Sequence, residues 1–419
     1  MRFKVLLAIG DQGLLSLLSF IAGALFVRYG TKTEFADYAL VVSALTLASS
    51  FQAAGLTTPL TSLAAQLKPG ARASFCRGFS RLNIILAVLC AVVVAVCFSL
   101  LPIARDQSLF LALACAFAVG GLWVREFQRT ELYLHDLVRL ALRTTALSVL
   151  VSLSIIAVLL GAGHPMTAEL ALVAFATGSV LAAVLGTRAN VSSNGPATTV
   201  AEAAAALAPY AKWSLPWTAL TWLQNGAFAF IAGVVVSHEA IADVSAGRLL
   251  LAPIGLVIAG WARVYLPQAG AEIGSANIQR AWRLTTQSAI ALGGIVVLYG
   301  GGATLAYHSV LSAVLPDGYR QLGVLVLAWG VYFLANVLRG VGTSALLTMG
   351  RFRTILGITL PGVAVGVASS VVLGGWIGAS GVIYGMAIGE GVVCGGAWRA
   401  YYQFVLEGER SGNREAADA

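Results

Sequence analysis

Twelve apolar runs, most of them about 18 residues or longer, follow one another at short intervals along the 419-residue chain. A run of that length spans about 30 Å of hydrocarbon as a helix. In hydrocarbon each backbone amide must bond within its own segment, so such runs become helices rather than loops or open strands. The runs lie near 5–27, 38–64, 82–103, 108–124, 140–160, 168–187, 214–236, 247–268, 286–307, 320–346, 354–374 and 378–400. Only 11% of the residues are charged and 58% are hydrophobic, with a mean hydropathy of +0.85. A soluble domain carries roughly twice that charge. The fold class expected is therefore an all-α polytopic membrane protein of about twelve transmembrane helices.

The basic N-terminus, Arg2 and Lys4, precedes a long run that holds Asp11 and shows no small-residue cleavage site before Arg28, so it reads as a retained first span rather than a leader. The five cysteines show no CxxC spacing. Disulfides and metal centres are not expected from that pattern, and a membrane-buried Cys is mainly a packing residue. No cofactor is expected either: GxxxxGK[ST], HExxH and GxSxG are all missing from the sequence.

The net charge of +8 is distributed by side. With the N-terminus inside, nineteen of the 26 Lys and Arg fall in inner segments, among them Lys68, Arg72, Arg77, Arg81, Arg125, Arg129, Arg139 and Arg143. The outer ends hold Arg28, Lys32, Arg105, Arg248 and Arg320. That bias follows the positive-inside rule and puts both termini in the cytoplasm. It also assigns the excess charge to a membrane rather than to nucleic acid.

A weakly hydrophobic stretch from Arg188 to Lys212 divides the runs six and six. The organisation expected is an N-terminal six-helix lobe over 1–190, a cytoplasmic linker over 191–212 with a short helix from Val200 to Tyr210 closed by Pro209, a C-terminal six-helix lobe over 213–402 and a disordered tail over 403–419. Phe20-Ile21-Ala22-Gly23 recurs as Phe230-Ile231-Ala232-Gly233, and Ala36-Asp37-Tyr38 is echoed by Ala242-Asp243-Val244. Two echoes in order point to parallel duplication, an architecture of transporters with substrate between the lobes. Gly381, Gly385 and Gly389, at four-residue spacing, read as a close helix-packing face. The outer loops are short and carry no acidic or arginine-bearing saccharide site, which argues against a membrane glycosyltransferase.

Polar residues within the runs are the candidate functional groups. Asp11 lies about 10 Å into the first span, where a carboxylate marks a cavity, a proton site or an ion pair. Gln12, Ser16, Ser19 and Gly23 share one face of that helix, as do Ser214, Thr218, Thr221 and Asn225 in the seventh, next to Gln224. These stripes fit either interhelical hydrogen bonds or a cavity lining. Arg28, Arg248 and Arg263 form a cationic track if they face inward, with Arg263 about fifteen residues beyond Arg248 on the same expected helix; interfacial snorkelling is the other reading. A guanidinium suits a diphosphate, because its planar fork gives paired charge-assisted bonds and its charge does not titrate. Arg339 and Glu390 come out at similar depth and fit a structural ion pair, with Asn336 one turn from Arg339; alternatively Glu390 is a proton or sodium site.

Gly10-Asp11-Gln12-Gly13-Leu14-Leu15-Ser16-Leu17-Leu18-Ser19-Phe20, Glu34-Phe35-Ala36-Asp37-Tyr38-Ala39-Leu40 and Asp243-Val244-Ser245-Ala246-Gly247-Arg248-Leu249 resemble motifs of the Wzx-type polysaccharide and O-antigen flippases. These belong to the multidrug/oligosaccharidyl-lipid/polysaccharide (MOP) exporter superfamily. The resemblance implies a MATE-like fold of two six-helix lobes in the bacterial inner membrane. It further implies alternating-access flipping of an undecaprenyl-diphosphate-linked oligosaccharide. Arg28, Arg248 and Arg263 would then meet the diphosphate, Gln12, Gln224 and Asn225 the sugar, and Asp11 and Glu390 would couple an ion. Expected partners are membrane lipids, a polysaccharide polymerase and a chain-length regulator. A cation-coupled multidrug exporter of the same fold and a peptidoglycan-precursor flippase are the alternatives.

Overall fold

Helices form wherever the apolar runs demand that backbone groups bond internally, and the computed structural model contains only helices and their connections among the residues it describes, which are 2–64, 67, 69–100, 109–187, 198–275, 277–307, 319 and 322–417. Fifteen α-helices and one π-helical turn are described. Ten helices are long and apolar enough to cross a membrane, and up to twelve spans result if each of two bent pairs counts as one.

Two compact units divide the chain, Met1–Trp222 and Leu223–Ala419. The first contains α1 (Arg2–Tyr29), α2 (Lys32–Gln52) running through the π turn Ala53–Thr57 into α3 (Thr58–Ala64), α4 (Pro69–Leu100), α5 (Leu109–Leu134), α6 (Val138–Gly161) and α7 (Ala168–Thr187). The second begins within the last turn of α8 (Val200–Gly226). It continues with α9 (Phe228–Val235), α10 (His238–Leu250), α11 (Ala252–Gly274), α12 (Ile278–Ala306), α13 (Leu322–Thr348), α14 (Phe352–Ile377) and α15 (Ala379–Ala417). The same helix pairing organises both: third span against fourth, fourth against sixth, fifth against sixth. In the echoed segments Ala22 and Ala232, and likewise Ala36 and Ala242, are fully buried within their own units.

The structure departs from the sequence reading at several boundaries. Pro209 does not close a short helix; α8 runs unbroken through Pro209 and Pro216. A proline inside a helix forfeits one i→i−4 bond, which a long helix tolerates with local bending. Part of the expected linker, 191–197, lies outside the described residues. The tail expected to be disordered from 403 continues as helix to Ala417, with Ala, Glu and Arg supplying helix formers beyond the packed span. The seventh and eighth runs are each broken. A 56° bend separates α8 from α9 and a 50° bend separates α10 from α11. Pro253, in the first turn of α11, has no N–H with which to continue the ladder of α10.

Glycines set the tightest helix contact. A side chain at Gly389 would place its Cβ 2.6 Å from Gly366 Cα, and one at Gly385 would collide with the backbone of Ser370. The four-residue glycine face of α15 therefore lets α14 approach backbone to backbone, as the spacing predicted.

Candidate functional site

In the second unit α8, α10, α13 and α15 bring together most of the polar residues singled out from sequence. Trp329, Tyr332, Asn336 and Arg339 stand at i, i+3, i+7 and i+10 on α13 and so share a face. Trp329 is fully buried, and its indole Nε1 donates to Val244 O at 2.8 Å, tying α13 to α10. Gly247 permits that approach: a Cβ there would meet Trp329 Cδ1 and Leu325 Cβ at 3.1 Å.

Arg248 follows directly, in the last turn of α10, where a cation suits the negative end of the helix dipole. Its guanidinium carbon stands 5.0 Å from the Phe228 ring centre and 5.7 Å from that of Trp329, within cation–π range. The side chain is exposed. Among the described residues no carboxylate pairs with it.

One helical turn below Trp329 the polar array begins. The Tyr332 hydroxyl donates to Asn225 Oδ1 at 2.8 Å, and Asn336 Nδ2 donates to the same oxygen at 2.8 Å. Asn225 sits two residues before the break at Ala227, at the end of α8. Its neighbour Gln224 is buried, and neither amide atom of its side chain has a hydrogen-bond partner among the described residues. Arg339 Nε donates to Glu390 Oε2 at 2.5 Å, and Glu390 is fully buried with its Oε1 buried as well. Aromatic faces, an unneutralised cation, an amide pair and a closed ion pair thus follow one another along a single face of α13.

The first unit has its own buried network. Asp11, 1% exposed, accepts from Arg129 Nη1 at 3.1 Å and from the Tyr133 hydroxyl at 2.8 Å. Arg129 bridges on to Glu126 at 2.7 Å, Glu126 to Arg125 at 2.7 Å, and Arg125 to Ser148 Oγ at 3.4 Å. Asp11 Oδ1 is buried without a hydrogen-bond partner among the described residues. The partner that the sequence did not reveal comes from α5, 118 residues away. Beside this network Gln52 Nε2 donates to Asn83 Oδ1 at 2.8 Å and to Trp123 O at 2.6 Å, immediately before the π turn.

The polar stripes are largely satisfied locally. Ser16 and Thr221 each donate to the carbonyl four residues earlier, and Ser214 donates to Ala54 O. Gln12 is half-buried one residue from Asp11. Arg28 is exposed in the last turn of α1, in the first unit. The expected cationic track along one helix needs correcting. Arg248 closes α10 rather than opening a span, and Arg263 belongs to α11 beyond the 50° bend. The side chain of Arg263 lies outside the described residues. Tyr332 and Phe228 are members of the array that sequence reading passed over. For Tyr332, its place on the Trp329–Arg339 helical face was the available signal.

No protein-family model matches the chain, and no curated protein matches it. Solved structures do. An inward-facing multidrug resistance MATE family transporter of the MOP superfamily superimposes with a TM-score of 0.70 at 13% identity, over 94% of this chain and 96% of that one. The lipid II flippase MurJ, inward closed, gives 0.72 at 12% identity, over 96% and 90%. A MOP superfamily transporter from Pyrococcus furiosus, whose reverse polarity of binding pocket is said to suggest a different function, gives 0.64 at 13%, over 97% and 95%. The chain therefore has the MATE/MOP fold. It is an all-helical, multi-pass membrane protein, and the structures it is similar to are transporters and a flippase.

Proposed function

We propose that this protein flips an undecaprenyl-diphosphate-linked oligosaccharide across the bacterial inner membrane by alternating access, delivering it from the cytoplasmic to the periplasmic leaflet for exopolysaccharide or O-antigen synthesis. The observation that carries this reading is the state of Arg248. Arg125, Arg129 and Arg339 are neutralised by Glu126, Asp11 and Glu390. Arg248 keeps an exposed guanidinium against two aromatic rings, with no carboxylate partner among the described residues. A diphosphate supplies the missing anion through paired charge-assisted hydrogen bonds. Gln224 and Asn225 are the proposed polar contacts for a neighbouring sugar, which would reach the buried Gln224 only as alternating access uncovers it.

Arg28 and Arg263 are proposed as further phosphate contacts, and Gln12 as a further sugar contact. The buried carboxylates Asp11 and Glu390 are the proposed coupling groups, because each retains one buried oxygen without a hydrogen-bond partner among the described residues. The membrane potential supplies about 2.3 kcal/mol per charge per 100 mV to such a group. The same two carboxylates favour a second reading, a cation-coupled exporter of small molecules. A proteoliposome assay separates them. Purified protein is expected to make a lipid-linked oligosaccharide accessible from the opposite leaflet, and Arg248→Ala to slow that by about tenfold or more. Proton- or sodium-driven efflux of a cationic dye without lipid translocation establishes the second reading instead.

A further inference from the structure

The inner ends of α4 and α5 assemble a group that neither polar network uses. Glu131 lies in the last turn of α5 and His135 four residues on, so their side chains stack on one side of that end. The backbone continues helically to that point, His135 N–H donating to Glu131 O at 3.0 Å, before Asp136 turns the chain at φ 63°. Cys76, from α4, is fully buried in a cluster with Leu60, Ala64, Phe79, Phe127 and Leu207. Its Sγ, a Glu131 carboxylate oxygen and a His135 ring nitrogen all lie within 4.8 Å of one another. His135 Nε2 is buried with no hydrogen-bond partner among the described residues.

We propose that Cys76, Glu131 and His135 hold a divalent transition-metal ion of the zinc class. Thiolate, imidazole and carboxylate are the three ligand types that zinc takes, at about 2.3, 2.0–2.1 and 2.0–2.2 Å. Around one tetrahedral ion those lengths place ligand atoms about 3.4–3.6 Å apart. Closing from within 4.8 Å to that spacing asks for side-chain rotation of about an ångström, with two of the ligands on one helix end. Thiolate and carboxylate together cancel the charge of the ion, so a neutral complex rests against the apolar cluster. The thiol proton passes to water as the metal binds.

Arg72 is committed to backbone, through Nη1 to Leu134 O at 2.7 Å, Nε to Ala64 O at 3.0 Å and Nη2 to Leu67 O at 3.2 Å. Those bonds fix the turn that carries His135. Water would complete the fourth coordination position. Ala203 and Leu207 of α8 rest on the same cluster, so the metal ties α4 to α5 beneath the first turns of the helix that leads out of the first unit.

Cobalt(II) titration of the chelator-stripped, detergent-purified full chain tests the site independently of transport. The expected result is one equivalent bound, with a thiolate-to-cobalt charge-transfer band that zinc displaces. Cys76→Ser should remove the band, and His135→Gln, at a partly exposed turn where folding is little at risk, should weaken binding about tenfold or more. Cys97→Ser, at an exposed cysteine of α4, should leave the spectrum unchanged. A wild-type chain that shows no thiolate band, or binding that survives both ligand substitutions unaltered, overturns the proposal.

Discussion

At Arg248 the guanidinium has aromatic rings beside it and no carboxylate partner among the described residues, while Arg339 one face-length away is locked to Glu390. This contrast gives the two arginines opposite mutational signatures. Arg248→Ala should leave folding nearly intact and lower translocation by about tenfold to a hundredfold, the worth of one charged hydrogen-bonding contact of about 1.5–3 kcal/mol. Arg248→Lys should recover only part, because an ammonium lacks the planar fork. Translocation rates normalised to protein in the vesicle check both. Asn225→Ala should behave differently. It removes the shared acceptor of Tyr332 and Asn336, so thermal unfolding in detergent should reveal a loss of about 1–3 kcal/mol.

Among elements, the pairing of α13 with α15 rests on a buried ion pair and that of α14 with α15 on glycines. Arg339→Met alone strands a carboxylate that is fully buried, and should cost about 3–5 kcal/mol. Arg339→Met with Glu390→Met should recover much of that loss, since an apolar pair carries no desolvation penalty. If the pair is purely structural, the double variant keeps ion-dependent transport; if Glu390 couples an ion, stability returns and coupling does not. Gly389→Leu should be more damaging than a surface change, because the Gly366 backbone leaves no room for it. Lower yield of folded monomer on size exclusion is the readout.

These elements also show what the sequence could reveal. The spans were legible because hydrocarbon forces each apolar run to satisfy its own backbone. The glycine face was legible because four-residue spacing puts Gly385 and Gly389 in line. The breaks near Ala227 and Leu251 were not, since a helix interrupted inside an apolar run leaves composition unchanged, and only Pro253 hinted at the second. Asp11's partnership with Arg129 was hidden for another reason: 118 residues separate two groups that only helix packing brings within 3.1 Å. The Arg339–Glu390 pair, by contrast, could be inferred from matching depths in neighbouring spans.

Over the whole molecule, the repeated pairing of third with fourth, fourth with sixth and fifth with sixth spans gives two similar bodies. Their polar interiors nevertheless differ. Both charged ends of the first unit's network are internal, Asp11 and Glu126 meeting Arg125 and Arg129, whereas the second unit leaves Arg248 open. The closed network suits a rigid first unit, and the open guanidinium suits the anion contact proposed for the second. The MATE/MOP fold itself accommodates both MATE multidrug transporters and the MurJ flippase at 12–13% identity to this chain, so residue chemistry rather than architecture has to decide the cargo.

The most direct measurement is leaflet exchange of a purified undecaprenyl-diphosphate oligosaccharide in proteoliposomes, with wild-type and Arg248→Ala protein at matched incorporation. Wild type should expose the head group to an external glycosidase well above the rate of protein-free vesicles, and Arg248→Ala should be slower than wild type by about tenfold or more. Equal exchange by both proteins, or none by wild type while a cationic dye is exported, would contradict a flippase whose cargo is held by that arginine.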